Sequence, residues 1–217
     1  MNKSLRKKVI IGLLLLVLSI IPAVFAHFTS YFPGDVWVAQ HIQSLNSQFL
    51  TSFMIKVSQG FTGIPAAILI IVCVLTIWWR LGRLEAIFMA ADGVISPIAN
   101  LFKLLVQRPR PPASLVDIIT PVGGLSFPSG HAFFAAMTLG MLIYFVLTYL
   151  SLRPLNVLLV VALILIILLV GYSRIYLGDH WASDVIEGYL IASGFLFLLT
   201  AFYEQRKASK VRRQKAS

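Results

Sequence analysis

Apolar stretches near the length of a bilayer crossing recur along this chain, and they limit what it can fold into. A helix needs about 20 mostly apolar residues to span the hydrocarbon core. Six segments approach or meet that length: residues 9–25, 64–79, 84–106, 132–150, 155–172 and 182–203. The expected fold is all-α, a six-transmembrane-helix bundle formed by residues 1–217 as a single domain, multi-pass in a cell membrane. Composition agrees, because 59% of the residues are hydrophobic and 12% are charged, too little polar surface to wrap a soluble core. The lone cysteine, Cys73, lies in an apolar run and excludes an intrachain disulfide.

The placement of charge orients the bundle. The net charge of +10 is concentrated at Lys3, Arg6, Lys7 and Lys8 and at Arg206, Lys207, Lys210, Arg212, Arg213 and Lys215. Positive charge beside hydrophobic segments marks the cytoplasmic side and attracts anionic lipid headgroups, so nucleic acid is not the expected partner. With six spans, both termini, Arg80, Arg83 and Arg153 fall on one face, which is read as cytoplasmic. Ala23 to Ala26 resembles a signal-peptidase site, but the preceding apolar run exceeds most signal sequences and is read as a retained first span. Residues 27–50 hold no Lys or Arg and form an outer loop with interfacial stretches; a helix from Leu50 onward leads into the second span.

Lys56, Lys103, Arg108, Arg110 and Arg174 fall on the outer face, against the positive-inside rule. All except Lys56 sit beside polar motifs at predicted helix ends. One motif runs from Lys103 to Pro111, a second is Pro128-Ser129-Gly130-His131, and the third runs from Ser173 to Asp184. Lys103, Arg110 and Arg174 supply cations, and arginine forks match phosphate oxygens. Ser129 and Gly130 lead into a helix, where free N–H groups bind anions and glycine admits an oxyanion. His180 and Asp184 are four positions apart; on a helix beginning near Asp179 they share a face. A carboxylate on one imidazole nitrogen fixes the tautomer and frees the other to attack. The helix start would favour a neutral imidazole. His131 suits a second role, protonating a departing oxygen and then activating water. Each motif alone is equally at home as an interfacial anchor, a common HxxxD helix pair or a lipid-headgroup clamp. A shared position on one face is what favours chemistry.

Together these motifs resemble those of the type 2 phosphatidic acid phosphatase superfamily, which also includes vanadium-dependent haloperoxidases. Its pattern is Lys, six residues and Arg-Pro; Pro-Ser-Gly-His; then Ser-Arg, five residues, His, three residues and Asp. This chain matches with Lys103 and Arg110-Pro111, Pro128 to His131, and Ser173-Arg174 with His180 and Asp184, over residues 103–184. The short form resembles bacterial membrane lipid phosphatases of the phosphatidylglycerophosphatase B kind. The resemblance implies a phosphohistidine on His180, acid/base action by His131 and a relay through Asp184. It implies phosphate binding by Lys103, Arg110, Ser129, Gly130 and Arg174, with no metal and no cofactor. The implied substrate is a lipid phosphomonoester or pyrophosphate, phosphatidylglycerophosphate first and undecaprenyl pyrophosphate as the close rival. A membrane lipid-binding or transport protein is the alternative of a different class. Outside the pattern, Asp92 is expected to face the bundle and bond a neighbouring helix or be held protonated. Glu187 either lines the site or packs, Lys56 and Arg108 are read as headgroup contacts, and residues 113–126 as a flexible lid.

Overall fold

The computed structural model describes residues 3–216, and within them every regular element is a helix. Six helical stretches are long and apolar enough to cross a membrane. The first, Lys3–Phe28, joins α1 (Lys3–Leu18) to α2 (Ile20–Phe28) at Ser19, whose hydroxyl donates to the Leu16 carbonyl. Two short helices follow, α3 (Asp35–Gln43) and α4 (Gln48–Gly60), before α5 (Gly63–Arg80) makes the second span. The third consists of α6 (Arg83–Ile95) and α7 (Ile98–Val106). Pro97 separates them, since a proline ring removes a donor and disrupts the preceding turn. The last three spans are α8 (Gly130–Tyr149), α9 (Pro154–Tyr176) and α10 (Ala182–Ala216).

Helices α8 and α10 form the centre: 56% and 44% of their apolar windows are buried, against 11–22% for the other spans. The outer helices leave rows of Leu, Ile and Val exposed, as lipid-facing surfaces do. Close crossings rest on glycines. A Cβ on Gly12 of α1 would stand 2.9 Å from the Gly194 carbonyl of α10, and one on Gly188 would stand 2.8 Å from the Ser129 carbonyl at the start of α8. Small residues at such crossings let helix backbones approach and gain packing where lipid supplies no hydrophobic drive. The second crossing fixes the start of α8 against the start of α10, and the Ser129 N–H donates to the Asp184 carbonyl at 2.9 Å.

The end of the bundle that carries both termini has its own polar tie. Lys8 pairs with Glu204 at 2.6 Å, and Tyr203 and Tyr149 both donate to Glu85. In the interior, Asp92 is fully buried and accepts from Ser96 at 2.9 Å and from Thr138 of α8. It bonds a neighbouring helix, as expected of a charged residue placed within a span.

Candidate active site

At the opposite end, the ends of α7 and α9 and the beginnings of α8 and α10 meet. Helix α7 presents Lys103 in its last turn, and Gln107 then adopts a left-handed conformation (φ 56°) that turns the chain sharply. Helix α9 carries Arg174 in its last turn. Gly178, also left-handed at φ 77°, reverses the chain so that the Asp179 and His180 amides both donate to the Arg174 carbonyl, at 3.1 and 3.2 Å. A side chain at 178 would collide with the Asp117 backbone, so glycine is required there.

Helix α10 begins at Ala182, so His180 precedes it rather than sharing its face. The pairing with Asp184 is nevertheless made. His180 Nδ1 lies 3.5 Å from Asp184 Oδ2, and the same oxygen accepts the Trp181 N–H at 2.9 Å and the Ser126 hydroxyl. On the far side of the ring, Arg110 approaches Nε2 at 3.4 Å. A guanidinium can only donate, so this geometry suits an imidazole with its proton on Nδ1 and a bare Nε2. Burial pushes the His180 imidazole down to about 3, against the opposing pull of Asp184. Enclosure is therefore the main cause of the neutral ring.

The cations cluster as the sequence spacing predicts. Lys103, Arg110, Arg174, His131 and His180 lie within electrostatic reach of one another. Arg110 donates to the Asp179 carbonyl at 2.7 Å, and burial lowers its guanidinium below the usual arginine range. Arg174 is buried; it pairs with Asp179 at 2.5 Å and donates to Ser58 of α4. Burial raises the Asp179 carboxyl, while Arg174 opposes the shift. Ser129 caps α8 without a side-chain hydrogen bond, and the N–H groups of the first turn beginning at Gly130 have no intrahelical acceptor. Ser129 Oγ, His131 Nε2 and Arg174 Nε are buried polar atoms with no protein partner. Such atoms are costly unless something completes their hydrogen bonds. Among the described residues, no three His, Cys, Asp or Glu side chains gather as metal ligands would.

The structure corrects two further expectations. Arg108 is not a headgroup contact: it is fully buried and joins Asp184 (2.5 Å) to Asp35 (2.9 Å). The loop at 113–126 is pinned at its middle, since Gln43 bonds both backbone groups of Asp117, Ile119 donates to the Leu177 carbonyl and Thr120 donates to Asp179, while residues 121–124 are exposed. Glu187 is buried against Ser19, with one carboxyl oxygen unpartnered. Lys56 is exposed on α4. Sequence reasoning passed over Asp35 and Ser126. A lone carboxylate in a stretch without Lys or Arg was a signal for Asp35; nothing marked Ser126.

Fold and site together define a multi-pass membrane protein in which a cluster of cations faces a histidine–aspartate pair. Residues 84–208 match the model of the PAP2 superfamily, and the chain belongs to that family. It is 32% identical over 130 residues to phosphatidylglycerophosphatase B of Bacillus subtilis (strain 168), across 58% of this chain and 60% of that protein, so the match spans less than two thirds of the relative. Its fold is similar to that in the crystal structure of a transmembrane PAP2-type phosphatidylglycerolphosphate phosphatase from Bacillus subtilis (TM-score 0.77, 22% identity, 89% of this chain and 96% of the other). It is also similar to LpxE of Aquifex aeolicus (TM-score 0.58, 22% identity, 77% of this chain and 96% of the other).

Proposed function

We propose that this chain is a membrane phosphatase that hydrolyses a lipid phosphomonoester or pyrophosphate through a phosphohistidine on His180. The observation that carries the reading is the set of unpartnered buried atoms, Ser129 Oγ, His131 Nε2 and Arg174 Nε, within the cation cluster that adjoins the bare Nε2 of His180. A phosphate group would complete their hydrogen bonds.

Lys103, Arg110, Arg174, Ser129 and the amide of Gly130 hold the phosphate and meet the charge on its equatorial oxygens. His180 Nε2 attacks phosphorus in line with the lipid oxygen, and Asp184 accepts the Nδ1–H bond and steadies the charge formed on the ring. His131 gives its proton to the departing oxygen. It then takes one from the water that attacks the phosphohistidine, which releases phosphate and restores both histidines. No step calls for a metal. The curated relative's activity favours phosphatidylglycerophosphate as substrate. The basic clusters favour cytoplasmic termini in contact with anionic lipid, which puts the site at the outer face.

Phosphate release by purified protein in detergent with EDTA tests the reading, using phosphatidylglycerophosphate, phosphatidate and a polyprenyl pyrophosphate beside a His180→Ala control. Release from at least one lipid by the wild type alone is expected. No release from any of them would overturn the reading.

A further inference from the structure

Arg108 takes no part in the phosphate pocket described above, yet its environment is highly organised. Burying a guanidinium costs several kcal/mol unless its charge is paired and its donors satisfied. Here all three nitrogens are engaged. Nε donates to the Ser30 carbonyl at 3.2 Å, NH1 to Ser183 Oγ at 2.8 Å and Asp184 Oδ1 at 2.5 Å, and NH2 to Asp35 Oδ2 at 2.9 Å. The guanidinium also lies 4.6 Å from the Phe32 ring centroid. Four of its five N–H donors are spent on protein acceptors and no nitrogen is without a partner, in contrast with Arg174 and its free Nε.

Asp184 divides its oxygens. Oδ2 faces His180, while Oδ1 receives Arg108. Asp35 in turn is fixed by the Ser183 amide at 3.0 Å, the Ser183 hydroxyl at 2.6 Å and the Phe32 amide at 2.7 Å. The result is a buried line from Asp35 through Arg108 and Asp184 to His180. A carboxylate held on one oxygen cannot swing away from the imidazole, and a cation on its rear keeps it ionised and accepting. We propose that Arg108 and Asp35 are positioning residues, which act through Asp184 to set the tautomer and orientation of His180. This rests on the phosphatase reading above.

The test uses Arg108→Lys, Asp35→Asn and the double variant in detergent, with kcat, KM and vanadate inhibition measured on a short-chain phosphatidate. Rates are normalised to vanadate-binding stoichiometry so that misfolded protein is not counted. Lysine keeps the charge but lacks the fork that reaches two carboxylates. Each single variant should lose about 10- to 100-fold in kcat, the scale set by removing the carboxylate partners of metal-bound histidines, which orient an imidazole in the same way. KM and the vanadate inhibition constant should stay within about twofold, because neither residue touches phosphate, and the double variant should lose no more than the worse single. Lys103→Met, by contrast, should weaken vanadate. Unchanged kcat, a loss carried by KM and vanadate, or no vanadate-binding protein from any variant would overturn the inference. An inactive wild type would instead overturn the phosphatase reading.

Discussion

Gly188 offers the sharpest link between packing and rate. A methyl group there would stand 2.8 Å from the Ser129 carbonyl, 3.1 Å from the Ala132 Cβ and 3.2 Å from the Phe133 amide nitrogen. A carbon rests about 3.3–3.6 Å from a carbonyl oxygen, so Gly188→Ala must part the starts of α8 and α10 by roughly half an ångström or more. Those helix starts carry Ser129 and His131 on one side and Asp184 on the other. Misplacement by about 1 Å can cost about 100-fold in rate, so Gly188→Ala should lower kcat by about 10- to 100-fold, or about 1.4–2.7 kcal/mol in the barrier. Gly194→Ala is the control. Its methyl would be equally crowded, at 2.8 Å, but against the Leu16 side chain of α1, away from the site. It should shorten the lifetime of the protein in detergent at 45 °C while kcat of the surviving enzyme holds. The assay is phosphate release under saturating substrate, normalised to vanadate-binding sites. Wild-type kcat in Gly188→Ala, or equal kcat losses in the two variants, would refute the idea that this crossing sets the geometry of the site.

Three further outcomes are expected. His131→Ala should keep more activity on a nitrophenyl phosphate than on a lipid monoester, because the phenolate departs without a proton; equal losses on both would remove the case for its acid role. Activity should survive EDTA and fall with vanadate, whose trigonal bipyramid resembles the transferring phosphoryl group; strict dependence on added magnesium would count against a histidine nucleophile met only by protein cations. His180 is held neutral down to about 3 in the folded protein, whereas an unfolded chain takes that proton near pH 6.5. Its contribution to stability is therefore complete above about pH 6.5 and falls by about 1.4 kcal/mol per unit as the pH drops toward 3. Denaturation measured between pH 7 and pH 4.5 should be less acid-sensitive in His180→Gln, and parallel curves would contradict this.

The six spans and the residues that gather at the site were legible because each follows from local pattern. Apolar length marked the spans, and cations at helix ends, against the expected charge bias, marked the cluster. The misread residues depend on partners distant in sequence. Arg108 stands between Gln107 and Pro109, and nothing nearby shows that Asp35, 73 positions away, will reach it. A similar distance, 74 positions, hid the pinning of Asp117 by Gln43. The sixth span was read from residue 182, where α10 does begin, but a helix start near Asp179, which would put His180 and Asp184 on one face, is not formed, because the turn at Gly178 continues through Trp181, where the Asp184 carboxylate caps the backbone. The neutrality of His180 comes from tertiary burial, which no window around the residue records.

The pairing of Lys8 with Glu204, 196 positions apart, and the glycine crossing of α1 on α10 set a timetable for assembly. Asp184 and His180 emerge during synthesis long after Lys103 and His131, and α10 docks in the middle of helices already inserted. Until it does, α1 has lost its closest neighbour and the cations at the ends of α7 and α9 face one another without the Asp184 carboxylate. The site, with Asp184 on its histidine, is therefore complete only once α10 has docked. A chain halted before that helix would carry Lys103, Arg110, Ser129, Gly130, His131, Arg174 and His180 but not Asp184.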